Sequence, residues 1–243
     1  QRGCGRSRPS GSVHRNETVD LIADIERLRQ FLGVSRWSVV GGSWGGALAL
    51  LYAFAHADRV VRMLLRSPFL CTQSEIENFM EHPPKECRDL WMNLKTLVPP
   101  SSRQTILEYG YQVFCQDQDT QEQARLAHAW VSYEAAMNVY PATAPVLGMV
   151  DGMALISRYR VQSHYLKHRC FVNEDLLAQA TVLKEIPLTL VHGELDALCP
   201  YTNSLSIQRV APQAKLVLVK GGGHDLTDPG ILTSTFEELE RWH

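Results

Sequence analysis

The sequence predicts an α/β fold: a mostly parallel sheet flanked by helices, carrying a helical insertion. Three observations predict it. Amphipathic helices and short β-branched runs alternate near the start of the chain, the alternation stops at about Cys71, and it returns after about Lys184.

Element by element, "NETVDLIADIERLRQFLGV" places Leu21, Ile22, Ile25, Leu28 and Leu32 at helical spacing, with Asn16 or Thr18 to cap its start and Gly33 to close it. "RWSVVGG" is too short for a helix, is β-branched and ends in glycine, so it reads as a strand. "GALALLYAFAHADRV" is almost uniformly apolar, which implies a helix buried against a sheet, and "VVRMLLRSPF" is the next strand. Between Cys71 and Lys184, "QEQARLAHAWVSYEAAM" and "DGMALISRYRVQSHYLKH" read as helices, punctuated by prolines at 83, 84, 99, 100, 141 and 145. Strands return in "IPLTLVHGELD" and "AKLVLVKGGGH", and "ILTSTFEELERWH" closes as a helix.

Composition narrows the function. Of the 243 residues 45% are hydrophobic and 21% charged, which excludes extended disorder, and a net charge of −2 gives no basic footprint for nucleic acid. No apolar run approaches the roughly 20 residues that span a bilayer, and the basic start lacks a signal-peptide core, so the reading is no membrane partner and a cytoplasmic location. The six cysteines are scattered without a CxxC pair, and neither they nor the nine histidines show metal-ligand spacing. Reduced thiols, no metal and no cofactor are therefore expected.

The chemistry concentrates at Gly41-Gly42-Ser43-Trp44-Gly45, a G-x-S-x-G placed between a strand and a helix. Bare G-x-S-x-G arises by chance in roughly one chain in ten of this size, but the strand before and helix after make it the nucleophile elbow of the α/β-hydrolase fold. A turn this sharp needs small neighbours, lifts the serine Oγ to the head of the helix, and offers the Trp44 backbone N–H to an oxyanion.

A serine needs a base and a group to orient it. In this fold they follow in the order acid, then histidine, each after a later strand, which selects Asp196 and His224. Glu194 remains an alternative acid. Asp225 and Asp228 read as loop or cap residues, and His192 as a packed histidine at a strand end, since as base it would precede the acid. The three glycines before His224 allow its loop to approach the serine closely.

"QRGCGRSRP", "ADIERLRQFLGV", "GGSWGGALAL", "HGELDALCP" and "GGGHDLTDPGI" together resemble the prolyl iminopeptidases, serine peptidases of the α/β-hydrolase fold that remove N-terminal proline. The resemblance is strong over 1–70 and 186–243 and weaker between. It implies Ser43, Asp196 and His224 as the triad and a helical cap over the site. The organisation expected is a first core part at 1–70, a helical cap at 71–185 and a second core part at 186–243.

In that family cap glutamates hold the substrate's amino group. "AWVSYEAA" is similar to the family's Trp-x-x-Trp-Glu segment, which implies Glu134 as amine ligand near Trp130 and Tyr133; on composition alone Glu134 reads as a solvated helix residue. The family's second glutamate corresponds to Gln162 before Ser163, His164 and Tyr165, which accepts a hydrogen bond but cannot neutralise an ammonium. Trp130, Tyr133 and Tyr165 either line a proline-sized pocket or pack within the cap.

Family members carry, ahead of the segment matching Gln1, further strands and a His-Gly-Gly-Pro-Gly loop that supplies a second oxyanion N–H. The reading is that those N-terminal strands are missing, which would leave "RWSVVGG" at a sheet edge and remove a donor typically worth about 10²- to 10³-fold in kcat. The expected function is a serine hydrolase releasing N-terminal proline, or another small residue, through an acyl-enzyme. The alternatives are an esterase or amidase of the same fold with a non-peptide substrate, and an inactive truncated paralogue. The substrate partner is thus a small peptide, amide or ester, and the oligomeric state is not given by sequence.

Overall fold

The structure is a computed structural model that describes residues 1–143, 148, 151–172 and 175–242. Pro145, one of the punctuating prolines, lies outside them.

Four strands, β1 (Trp37–Gly42), β2 (Val60–Arg66), β3 (Leu188–Gly193) and β4 (Lys215–Val219), pair in the order β1-β2-β3-β4, every pair parallel. The registers Gly42↔Arg66 and Arg66↔Val191 align their carboxyl ends, where loops of an open parallel sheet gather functional groups. Among the described residues β1 forms one edge of this sheet, and its Val40 is 54% exposed.

Helix α1 (Thr18–Phe31) precedes β1, and α2 (Trp44–Ala55) joins β1 to β2. Buried Ala47, Leu50, Tyr52 and Ala53 of α2 pack with Met63 and Leu65 of β2 and Leu188 and Leu190 of β3 in one apolar core. The α1 cap differs from the sequence expectation. Glu17 is the N-cap, in a reciprocal capping box with Asp20, while buried Asn16 is spent on the Arg2 and Ser12 carbonyls and the Tyr165 hydroxyl. The apolar stripe is also only half used: Leu21 is buried, but Leu28 and Leu32 are exposed.

Between β2 and β3 lie α3 (Gln73–Glu81), α4 (Arg88–Lys95), α5 (Ile106–Tyr111), α6 (Thr120–Val139) and α7 (Gly152–Lys167). They build a second apolar core from residues such as Ile76, Leu94, Phe114, Trp130, Tyr133 and Tyr159. Helix α7 belongs to both cores, placing Leu155, Ile156 and Tyr159 in the second and Val161 and Tyr165 in the first. After β3 come α8 (Thr202–Val210), an element the sequence reading does not anticipate, and after β4 the closing α9 (Pro229–Glu240).

Candidate active site

Ser43 sits between β1 and α2 with φ 54° and ψ −123°, a left-handed region a non-glycine residue enters at a cost of about 1–3 kcal/mol. The surroundings hold it there. Its N–H donates to the Arg66 carbonyl at 2.9 Å, and its carbonyl accepts from Gly46 N–H at 2.9 Å and Phe69 N–H at 3.2 Å. Gly41 is obligatory in this bend, because a Cβ there would lie 2.3 Å from the Gly45 carbonyl oxygen. Trp44 is the first residue of α2, so its N–H belongs to the unsatisfied donors at a helix start; among the described residues it makes no hydrogen bond.

Asp196 follows β3 and His224 follows β4. His224 Nδ1 lies 2.8 Å from Asp196 Oδ2, and both residues are buried. Asp196 is held from every side: Oδ1 accepts from the N–H groups of Leu198 at 3.0 Å and Cys199 at 2.8 Å, and His192 Nε2 lies 3.5 Å from Oδ2. Burial alone would push this carboxyl up, but hydrogen bonds from His192, His224 and Cys199 outweigh it and hold it below the usual carboxylate range. With Asp196 ionised, His224 carries its proton on Nδ1 and keeps Nε2 as the basic nitrogen.

The neighbours fall into other roles. Glu194 is exposed and accepts from Gly221 N–H at 3.1 Å. Asp225 closes a turn on Thr227 N–H, and Asp228 caps α9. His192 is fully buried, with Nδ1 2.7 Å from Ser204 Oγ and Nε2 2.8 Å from the Cys199 carbonyl, so it buttresses the Asp196 loop. Among the glycines before His224, Gly223 makes a close approach to α6: a Cβ there would lie 2.1 Å from the Tyr140 carbonyl oxygen, so this loop passes tightly by the end of that helix.

Ser43, Trp44, Glu134, Gln162, Tyr165 and Cys199 share one cavity of about 580 Å³, a size suited to a small ligand. Among the described residues no Ser43–His224 hydrogen bond forms; the Ser43 Oγ neighbour is the Cys199 thiol at 3.9 Å. Such bonds commonly tighten only when substrate binds. Glu134 Oε1 accepts from Gln162 Nε2 at 2.9 Å, and its Oε2 from Tyr159 OH at 2.8 Å and Arg158 at 2.9 Å.

Trp130 and Tyr133 do not join this site, which corrects their expected part in substrate binding. Both are fully buried in the helical core, Trp130 beside Tyr159 and Tyr133 stacked on Phe79, whose carbonyl its hydroxyl reaches. On the face of α6 that carries them, large aromatics serve packing. Only Glu134, one residue on, turns to the cavity.

Three contributors escape a sequence reading. Arg66 donates to the His224 carbonyl and so anchors the histidine loop to β2. Glu75, buried and lining the cavity, accepts from Leu70 N–H, Thr72 N–H and Asn203 Nδ2. The signal for Glu75 is the Thr72-x-x-Glu75 capping box. Arg66 and Asn203 leave no such local mark. Among the described residues no group of three His, Cys, Asp or Glu side chains is arranged to hold a metal ion, and no helix is long and apolar enough to cross a membrane.

A strained serine at a strand-to-helix turn, with a buried acid and histidine after later parallel strands, defines the α/β-hydrolase class. The sequence profile of the alpha/beta hydrolase fold matches residues 1–230, and the chain belongs to that family. Solved structures agree on the fold: an alpha/beta fold family hydrolase from Bacillus anthracis str. Sterne superposes with a TM-score of 0.59 at 19% identity over 98% of this chain and 78% of its own. An esterase from Rhodococcus sp. ECU1013 gives 0.58 at 16% identity over 99% of this chain and 77% of its own.

Within that class the curated relatives place the chain among the proline iminopeptidases. A proline iminopeptidase of Arabidopsis thaliana is 34% identical over 95% of this chain and 62% of its own length. One from Xylella fastidiosa (strain Temecula1) is 33% identical over 94% and 74%, and one from Neisseria meningitidis serogroup B is 31% identical over 99% and 77%. The chain is a hydrolase of that type, and spans about three fifths to three quarters of the length of these relatives.

Proposed function

We propose that the chain is a serine hydrolase that releases an N-terminal residue, proline by preference, from short peptides. The observation that carries this reading is strained Ser43 lining a cavity with Cys199, whose N–H donates to Asp196, itself paired with His224 at 2.8 Å. His224 takes the Ser43 proton as Oγ attacks the carbonyl, and Asp196 holds the imidazole in the right tautomer and stabilises its charged form. The Trp44 N–H, at the positive end of α2, stabilises the oxyanion. His224 then protonates the leaving amine, and water releases the acyl group from Ser43.

In this reading residues 71–185 are a cap over a core formed by 1–70 and 186–243. The cap supplies Glu134 as ligand of the substrate's ammonium, with Gln162 beside it. The names of the relatives support proline as the released residue. Two measurements test the reading: labelling by a fluorophosphonate probe that disappears in Ser43→Ala, and turnover of a proline arylamide beside its N-blocked form. Absent labelling would favour an inactive paralogue; equal turnover of the two substrates would remove the aminopeptidase.

A second reading keeps Ser43, Asp196 and His224 but gives them an ester or a non-peptide amide. It is favoured by Gln162, an uncharged side chain hydrogen-bonded to Glu134 where a second carboxylate would strengthen an amine site. Faster cleavage of uncharged esters than of free-amine arylamides would select it.

A further inference from the structure

We propose that Arg158 is a resident counter-cation that occupies the amine site at Glu134, so that a substrate's ammonium binds only by displacing it. The inference rests on the reading of Glu134 as the amine ligand. It assigns to Arg158 the part of specificity determinant, setting how strongly the pocket selects a free amino terminus over a blocked one.

The argument begins with acceptor capacity. A carboxylate offers about four acceptor positions, and three at Glu134 are taken: Oε2 by Arg158 Nη2 at 2.9 Å and Tyr159 OH at 2.8 Å, Oε1 by Gln162 Nε2 at 2.9 Å. The pyrrolidinium of an N-terminal proline brings two N–H donors and finds one free position. Charge tells the same way. Glu134 and Arg158 sum to zero and Gln162 adds nothing, so an incoming cation meets a neutralised group rather than an uncompensated anion.

The three partners differ in how easily they leave. Tyr159 is fully buried in the helical core, and Gln162 is partly buried. The Arg158 side chain is 53% exposed, against 17% for Glu134, and its other contact is its guanidinium 5.5 Å from the Tyr159 ring centroid. A half-exposed ion pair of this kind adds little to fold stability, and a guanidinium released from it is rehydrated at once. Yet both partners line the cavity that contains Ser43. The pair therefore bears on what the cavity binds more than on what holds the chain together. Tyr159 and Gln162 keep the carboxylate aimed, while Arg158 is the partner a substrate can replace.

The test is a calorimetric binding measurement on the 243-residue chain carrying Ser43→Ala, which prevents turnover, with L-prolinamide and N-acetyl-L-prolinamide as ligands. Adding Arg158→Met, which keeps the aliphatic stem and removes the charge, is expected to tighten L-prolinamide roughly five-fold while leaving the acetylated ligand unchanged. Arg158→Lys, which keeps a cation, is expected to bind L-prolinamide as the parent does. If Arg158→Met leaves L-prolinamide binding unchanged or weaker while the free amine is still preferred over the acetylated form, the inference falls and the aminopeptidase reading stands. If Arg158→Lys tightens binding as much as Arg158→Met, charge is not the cause and the inference falls. If every chain binds the two ligands equally, or neither ligand binds, Glu134 is not an amine site and both fail together.

Discussion

Ser43 Oγ and Cys199 Sγ lie 3.9 Å apart, the hydroxyl of the proposed nucleophile facing a thiol on the loop that carries Asp196. Cys199 is 3% exposed, lines the cavity, and donates its own N–H to Asp196 at 2.8 Å. A bulky maleimide on this sulfur would fill the space above Ser43 and lever the Asp196 loop. Most of the activity is expected to be lost, faster at alkaline pH because burial pushes the thiol's pKa well up and only the thiolate reacts. Substrate should slow the loss. Cys4 and Cys170 also line the cavity, so the deciding measurement is Cys199→Ser: unchanged inactivation of that variant would refute the assignment to Cys199.

Asp196→Asn is expected to lower kcat by about 10⁴-fold with the fold intact. An asparagine Oδ1 keeps the bonds from Leu198 and Cys199, so the loop stays in place. Its amide nitrogen, however, would face His224 Nδ1 with a donor and force the proton onto Nε2, the nitrogen required as base. Steady-state kinetics with matched circular dichroism check this. A loss below tenfold would mean that another acid, Glu194 first among them, orients the histidine.

Gln162→Glu sets a second carboxylate against Glu134 Oε1, where Gln162 now donates at 2.9 Å. Arg158 can neutralise only one of the two carboxylates, so the lost donor and the like-charge contact cost stability until a second cation, the substrate's amine, arrives. The ratio of kcat/KM for a proline arylamide to that for its N-blocked form should rise roughly tenfold, mainly through KM, since a hydrogen bond to a charged group is worth more than a neutral one. No gain would favour the ester or non-peptide amide.

Local rules make the turn at Ser43 legible: an apolar β-branched run, a glycine cluster and an apolar helix mark it, and strand-then-loop position selects Asp196 and His224 as candidates. What stayed hidden depends on distant partners. Arg66 acts on a carbonyl far along the chain, and Arg158 matters only because α6 and α7 pack with Glu134 facing it. The same holds for Trp130 and Tyr133, which the sequence leaves open between lining a pocket and packing within the cap. Tyr133 is turned about 100° from Glu134, but Trp130, four residues before Glu134, lies on nearly the same side, so only the packing of α6 shows that both aromatics belong to the core. The half-used stripe of α1 shows the same limit, since periodicity marks a face without saying what covers it.

Trp130→Ala tests that correction. The indole fills the space between Phe114 and Tyr159, and Gly110 leaves room for it, since a Cβ there would lie 2.5 Å from the ring. Removing it should lower the unfolding free energy by about 3–5 kcal/mol, read by denaturant titration. The preference for free over blocked amines, measured where the variant is folded, should not change. A changed preference at unchanged stability would return Trp130 to the substrate pocket.

Acid should remove the stabilisation that Glu26 gives to α1 and, through Tyr52, to its contact with α2. Two Arg29 hydrogen bonds, at 2.9 and 2.6 Å, lead the forces that hold the Glu26 carboxyl down at about 2; burial opposes them, and Tyr52 OH at 3.0 Å and Gln30 add to them. Because the folded value lies below the ordinary 4.5, the folded state binds fewer protons here than the unfolded chain. The stabilisation is therefore complete above about pH 5 and is lost as pH falls from there toward about 2. Asp24, Glu108 and Asp196 are held down as well and add to the same acid slope, so the total fall in Tm does not identify Glu26. The difference does: Glu26→Gln should be less stable than the parent at pH 7 and should converge on it as pH drops to about 2, because protonated glutamic acid and glutamine leave Arg29 equally without a counter-charge. Parallel Tm curves across that range would show that the Glu26–Arg29 pair contributes nothing to folding.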